Sequence, residues 1–152
     1  MKKTLYIYTD GSADNKTENA YGGWAYIFSE NKEGKDHFFE ESGRERGKSG
    51  KMELLAIYYA LFVLIKKKAY KEYKGIIIKT DSEYARNTLL KIPFAKGNFP
   101  VVNKAEIMAL NKLGKIFAKK KINITYEHVR GHVGIYGNEI CDKLANKKRK
   151  NA

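Results

Sequence analysis

The stretch "TLYIYTDGSADN" (residues 4–15) decides the fold, because a β-forming run ends abruptly on an aspartate. Leu5, Tyr6, Ile7 and Tyr8 favour an extended strand, and Asp10-Gly11-Ser12 is turn chemistry. Asp before Gly opens many ordinary turns, so the stretch alone leaves two readings open: a plain turn, or an acid held at a strand tip. The rest of the chain has to be read before either is chosen.

Working outward, "GGWAYIFS" (22–29) and "KDHFFEES" (35–42) read as two further strands of an antiparallel meander. "MELLAIYYALFVLIKKK" predicts a helix over 52–68, with Leu54, Leu55, Tyr58, Leu61, Phe62 and Ile65 at helical spacing. "GIIIKTD" (75–81) has the continuous β-branched run of a strand covered on both faces. "SEYARNTLLK" (82–91) predicts a short helix that Ser82 caps. The stretch 92–103 holds both prolines and reads as loop, followed by a helix over 104–120, a strand over 122–129 and a helix over 138–148. The expectation is one α/β domain spanning 1–152, with residues 147–152 frayed. It has a mixed five-stranded sheet, three strands antiparallel and two parallel, with helices on both faces.

The chain has 152 residues, 43% hydrophobic and 12% aromatic, which fits a folded protein and excludes a disordered one. No apolar run approaches the length of a membrane span, and no signal-peptide hydrophobic stretch follows Lys2-Lys3. The lone Cys141 rules out an internal disulfide and a cysteine-based zinc site, which suits the cytoplasm. Residues 1–45 carry six Lys/Arg against nine Asp/Glu, and the remainder carries 24 against eight. A net charge of +13 so distributed favours a polyanionic partner such as nucleic acid. A lysine-rich composition alone is the competing explanation.

Three acids occupy comparable places. Asp10 ends the first strand, Asp81 ends the fourth, and Glu53 lies in the first turn of the long helix. Glu53 shares its face with Ile57, Ala60 and Leu64 and so points at the sheet. A fourth acid, Asp142, sits one turn after Asn138 on the last helix. Sites in α/β sheets gather at the carboxyl ends of strands, and buried carboxylates brought together repel one another and take up protons. Divalent cations relieve that repulsion, and hard oxygen ligands select Mg²⁺ or Mn²⁺ over zinc. Two such ions suit phosphodiester hydrolysis.

"YTDGS" (8–12), "MELLA" (52–56), "TDSEY" (80–84) and "VRGHVGIYGNEICDKLA" (129–145) resemble, in order and spacing, the four signature blocks of type 1 ribonuclease H. The resemblance implies a ribonuclease H-like fold. It also implies an endonuclease that cuts the RNA strand of RNA/DNA hybrids with two Mg²⁺ ions, Mn²⁺ being able to substitute. By that likeness Asp10 bridges both ions, Asp142 holds the ion that activates water, and Glu53 and Asp81 hold the ion at the leaving 3′ oxygen. The products would be a 5′-phosphate and a 3′-hydroxyl. His132, in the glycine-flanked "RGHVG", matches the family's mobile histidine and would assist proton transfer or product release. His128 shares strand phase with Ile122, Ile124 and Tyr126 and reads as packing, and His37 carries no functional signal. A start at Met1 close to the first strand suits a stand-alone protein, expected to be a monomer.

Two stretches depart from the family's pattern. Where the family carries Asn residues before its helix glutamate, this chain has Lys48-Ser49-Gly50-Lys51-Met52. Ser49, Gly50 and Lys51 remain candidates for substrate contact, with Gly11, Ser12 and Asn19, and helix capping is the other reading of Ser49. The stretch "KIPFAKGNFPVVN" (91–103) replaces a longer, Trp-containing basic protrusion and keeps only Lys91 and Lys96. Lys119-Lys120-Lys121 or the C-terminal lysines are candidates to supply the missing charge. The alternatives to catalysis on hybrids are a non-catalytic hybrid-binding module and another nuclease or transposase-type enzyme sharing the fold.

Overall fold

The apolar run of the opening stretch becomes the centre of a sheet. In a computed structural model, which describes residues 2–131 and 133–150, β1 (Lys3–Ser12) pairs antiparallel with β2 (Tyr21–Ser29) and parallel with β4 (Tyr73–Thr80). β3 (Phe39–Arg46) extends the antiparallel side, and β5 (Ile124–His128) the parallel side, in the order β3-β2-β1-β4-β5. This is the expected mixed five-stranded sheet. The helices are α1 (Ser49–Lys66), α2 (Glu83–Lys91), α3 (Lys104–Lys119) and α4 (Tyr136–Lys150).

Alternation along β1 divides the interior in two. Leu5 and Ile7 belong to the larger core with Leu54, Ile57 and Leu61 of α1. Tyr8 belongs to the smaller one, with Ala25, Ile27 and the Cys141 and Ala145 of α4. Helices therefore cover both faces, as expected. Each fully buried Leu or Ile contributes about 1.5–3 kcal/mol, and this packing offsets the cost of holding acids at the sheet's edge.

Several boundaries differ from expectation, each for a local reason. The third strand begins at Phe39 rather than Lys35, because residues 30–38 form an ordered loop. Asn31 Oδ1 accepts from the backbone N–H groups of Glu33 and Lys35, and Gly34 and Asp36 take positive φ values of 86° and 53°. Helix α1 starts three residues early, at Ser49, and Ser49 does not cap it. Its backbone N–H instead donates to Asn15 Oδ1, 2.8 Å away, a cap supplied from the loop after β1. Phe62, placed on the buried stripe, is 40% exposed. Ser82 caps α2 as expected, accepting from the Ala85 N–H. Residues 147–150, expected to be frayed, continue α4, because Arg149 Nε donates to Ser12 Oγ and ties the last turn to β1; Asn151 and Ala152 lie outside the described residues.

Candidate metal centre and groove

Register places the first two acids. Thr9 of β1 pairs with Thr80 of the parallel β4, so Asp10 and Asp81 come side by side at the carboxyl end of β4. The Asp10-Gly11-Ser12 stretch, expected as a turn, instead continues β1, with Asp10 paired to Ala25 of β2, and only Asp81 lies past its strand. Glu53 reaches them from α1, where the early start at Ser49 puts it at the opening of the second turn rather than in the first. It is buried, like Ile57, Ala60 and Leu64 on the same face. A Cβ on Gly11 would meet the backbone of Met52 and Glu53, so the missing side chain there is what lets α1 settle against β1.

The result is a tight cluster. One carboxylate oxygen each from Asp10, Glu53 and Asp81 lie within 4.8 Å of one another. Asp10 is 3% exposed and Glu53 8%, and Asp81 is half-buried. Gly11 N–H donates to Asp10 Oδ1 at 2.9 Å, but Glu53 Oε2 is buried without a hydrogen-bond partner. Burial, then the charges of Glu53, Asp81 and Asp142, push the Asp10 carboxyl up to about 10. Burial, then Asp81, raises Glu53 well above the usual carboxylate range. An unpartnered buried carboxylate oxygen beside two further acids is a strong mismatch for bare protein and fits a hard divalent cation.

Asp142 stands apart from this trio. It lies half-buried on α4, accepts at Oδ1 from Asn146 Nδ2 at 3.2 Å, and lines the same groove. That groove is about 1160 Å³ and is also lined by Gly11, Asn19, Ser49, Gly50 and Lys51. Ser12 is used differently: its hydroxyl contacts Asn146 Oδ1 and accepts from Arg149, anchoring α4 rather than facing the groove. His132 lies outside the described residues; its neighbour Gly131 sits against the cluster, a Cβ there falling 3.2 Å from Asp81 Oδ2. His128 is not packing. It is exposed, and its Nε2 lies 3.2 Å from the Asp81 carbonyl oxygen.

Around these candidates the groove gathers partners from other parts of the chain. Asn103 Nδ2 donates to the Tyr84 hydroxyl at 2.9 Å, and both line the wall beside Gly50. Arg46, Lys48, Lys51 and Lys104 set a basic rim against Glu18 and Glu106. None of these contacts is visible as spacing, because each joins segments distant in the chain. Lys120 and Lys121, candidates to replace the lost protrusion, lie instead past the far end of α3, beside Lys2.

A family model for RNase H matches residues 2–150. The chain belongs to the RNase H family. It is thus a ribonuclease H enzyme, a nuclease and hydrolase. Among curated relatives it is similar to Ribonuclease H of Treponema denticola, 31% identical over 93% of this chain and 94% of the relative. It is 33% identical to Ribonuclease H of Francisella philomiragia, over 96% of this chain and 91% of that one. Its fold is that of RNase H1 from the halophilic archaeon Halobacterium salinarum, with a TM-score of 0.68 at 15% identity over 98% and 99% of the two chains. Prototype foamy virus protease-reverse transcriptase is also similar in fold, TM-score 0.75 at 21% identity, with 97% of this chain matching 21% of the viral one. Among the described residues no helix of this RNase H is long and apolar enough to cross a membrane.

Proposed function

We propose that this enzyme hydrolyses the RNA strand of RNA/DNA hybrids by two-metal-ion catalysis, leaving 5′-phosphate and 3′-hydroxyl ends. The observation that carries the reading is the convergence of Asp10, Glu53 and Asp81 within 4.8 Å, with Glu53 Oε2 buried and unpartnered. Mg²⁺ suits these all-oxygen donors, and Mn²⁺ would substitute. Asp10, Glu53 and Asp81 would hold the ions, with Asp142 joining them from α4. When bound, two such ions supply a nucleophilic water and neutralise charge on the attacked phosphate and the leaving oxygen.

The chain's own residues do the rest. Strand β1 holds Asp10 rigidly, and the cap from Asn15 fixes the start of α1 and hence Glu53. The rim cations Arg46, Lys48, Lys51 and Lys104 attract the substrate's phosphates. Ser49, Gly50 and Asn19, with Gly11, face the strand whose 2′-hydroxyls mark it as RNA. His132 moves a proton near neutral pH. The foamy viral protease-reverse transcriptase, similar in fold at a TM-score of 0.73 and 18% identity, has a structure in complex with RNA/DNA hybrid, which supports the same partner class here. The enzyme acts as a monomer, and its single cysteine suits the cytoplasm.

Strand-labelled RNA/DNA, double-stranded RNA and double-stranded DNA, each incubated with Mg²⁺ or Mn²⁺, test the reading. Only the RNA of the hybrid should be cut, with 5′-phosphorylated products, and EDTA should stop the reaction. Cleavage that survives EDTA, or that ignores the hybrid, would overturn it.

A further inference from the structure

At the edge of the sheet opposite the carboxylates, where β1 and β4 begin side by side, five lysines surround one hollow. Lys2 precedes β1, Lys71 and Lys74 flank the start of β4, and Lys120 and Lys121 follow α3. The hollow measures about 450 Å³. None of the five pairs with a carboxylate among the described residues, where the ion pairs use Lys3, Lys35, His37 and Lys79. Lys120 Nζ sits 5.2 Å from the centre of the Tyr70 ring. The adjacent Lys120 ammonium, and then the charges of Lys71 and Lys68, draw the Tyr70 hydroxyl below its ordinary pKa. Lys121 holds φ at +58°, a conformation that favours glycine.

Helix geometry accounts for only part of this. Cations past the carboxyl end of α3 gain from its dipole, which explains Lys120 and Lys121. Lys2 and Lys74 stand at strand starts, where no such dipole acts. The charge also lies well away from the groove. From Lys3 to Asp10 the chain runs seven strand residues, roughly 23 Å at about 3.3 Å per residue, and α3 likewise leads from groove-lining Lys104 away to the hollow. The hollow's aromatic residues, Tyr70 and Tyr73, are buried to 7% and 6% exposure, so the surface offers ammonium groups without stacking platforms. That chemistry fits a phosphate backbone and not unstacked bases.

We propose that this lysine pole is a second, non-catalytic nucleic-acid site, holding the backbone of a strand other than the duplex in the groove. The inference rests on the enzyme's partner being nucleic acid. To test it, Asp10→Asn protein is saturated with a short RNA/DNA hybrid and titrated with a longer fluorescent single strand of DNA. The titration is repeated after adding Lys71→Gln, Lys74→Gln, Lys120→Gln and Lys121→Gln. The single strand should still bind the hybrid-saturated protein, and the lysine replacements should weaken that binding tenfold or more. The log–log salt slope should shrink by up to about 3, at about 0.7 per single-strand phosphate. Cleavage of the short hybrid by protein with Asp10 intact and the four lysines replaced should stay within twofold of the parent.

Displacement of the strand by the short hybrid, or equal binding after the replacements, would overturn the proposal. A lower melting temperature with unchanged binding would make the lysines helix-end stabilisers only. Preferential capture by phosphatidylserine vesicles would reassign the pole to a membrane surface. Failure of hybrid cleavage itself would strike the functional reading and leave the strand-binding result to decide this one.

Discussion

A Cβ on Gly11 would stand 2.5 Å from the backbone nitrogen of Glu53, so the strand that carries one acid of the proposed metal site and the helix that carries another meet backbone to backbone. Gly11→Ala should force α1 away from β1 and pull Glu53 from Asp10. Overpacking of this kind costs about 1–3 kcal/mol, which urea unfolding would measure. The activity loss should be larger than the stability loss accounts for, and excess Mg²⁺ should restore part of it. A fully active, fully stable variant would show that the close approach does not position the site.

Asp10→Asn should bring hybrid cleavage to background while the circular dichroism spectrum stays that of the parent. The amide is nearly the same shape but is a poor ligand for a hard cation. In EDTA at neutral pH the variant should be the more stable protein, by on the order of 1 kcal/mol, since the amide, unlike the buried carboxyl, need not take up a proton on folding. Substantial cleavage by the folded variant would remove Asp10 from the metal site.

The same cluster sets a pH dependence. Burial, then neighbouring acids, raises the folded-state pKa of Asp10 to about 10 and that of Glu53 well above its ordinary value. A carboxyl that binds its proton more tightly when folded stabilises the protein fully below the unfolded value near 4, and that contribution fades as pH rises toward the folded value. Metal-free protein should therefore lose melting temperature steadily from about pH 5 to pH 9. Saturating Mg²⁺ should reverse the trend, because the cation binds the deprotonated cluster. Thermal melts in EDTA and in Mg²⁺ across this range check both slopes, and a flat metal-free profile would contradict the buried cluster.

The shortened loop yields a weaker effect. Lys96 faces a hollow behind the loop with Leu89 and Phe117, and the loop meets the groove only through Val101, Val102 and Asn103. Lys91→Ala with Lys96→Ala should change the log–log salt slope of hybrid binding by at most about two units, taking about 0.9 per phosphate from B-DNA. Strand choice should be unchanged, because the proposed 2′-hydroxyl contacts near residues 48–51 are left intact. Collapse of binding at every salt concentration would make this loop the main handle on the substrate.

Local sequence determined what depends on neighbours in the chain. The apolar run into Asp10, the β-branched run into Asp81 and the inward face of Glu53 were legible because strand and helix periods fix which way each side chain points. Ser82 as a cap was legible for the same reason, since cap and partner lie three residues apart. Only the tertiary structure decided what depends on meetings between distant segments. It gave the cap of α1 to Asn15 and the hydroxyl of Ser12 to α4, and it set Asp142 outside the tight trio. It exposed His128 and carried Lys120 and Lys121 to the pole away from the groove. A hydrogen bond or a charge acts over a few ångströms of space, whatever the separation along the chain, and periodicity records only separation along the chain.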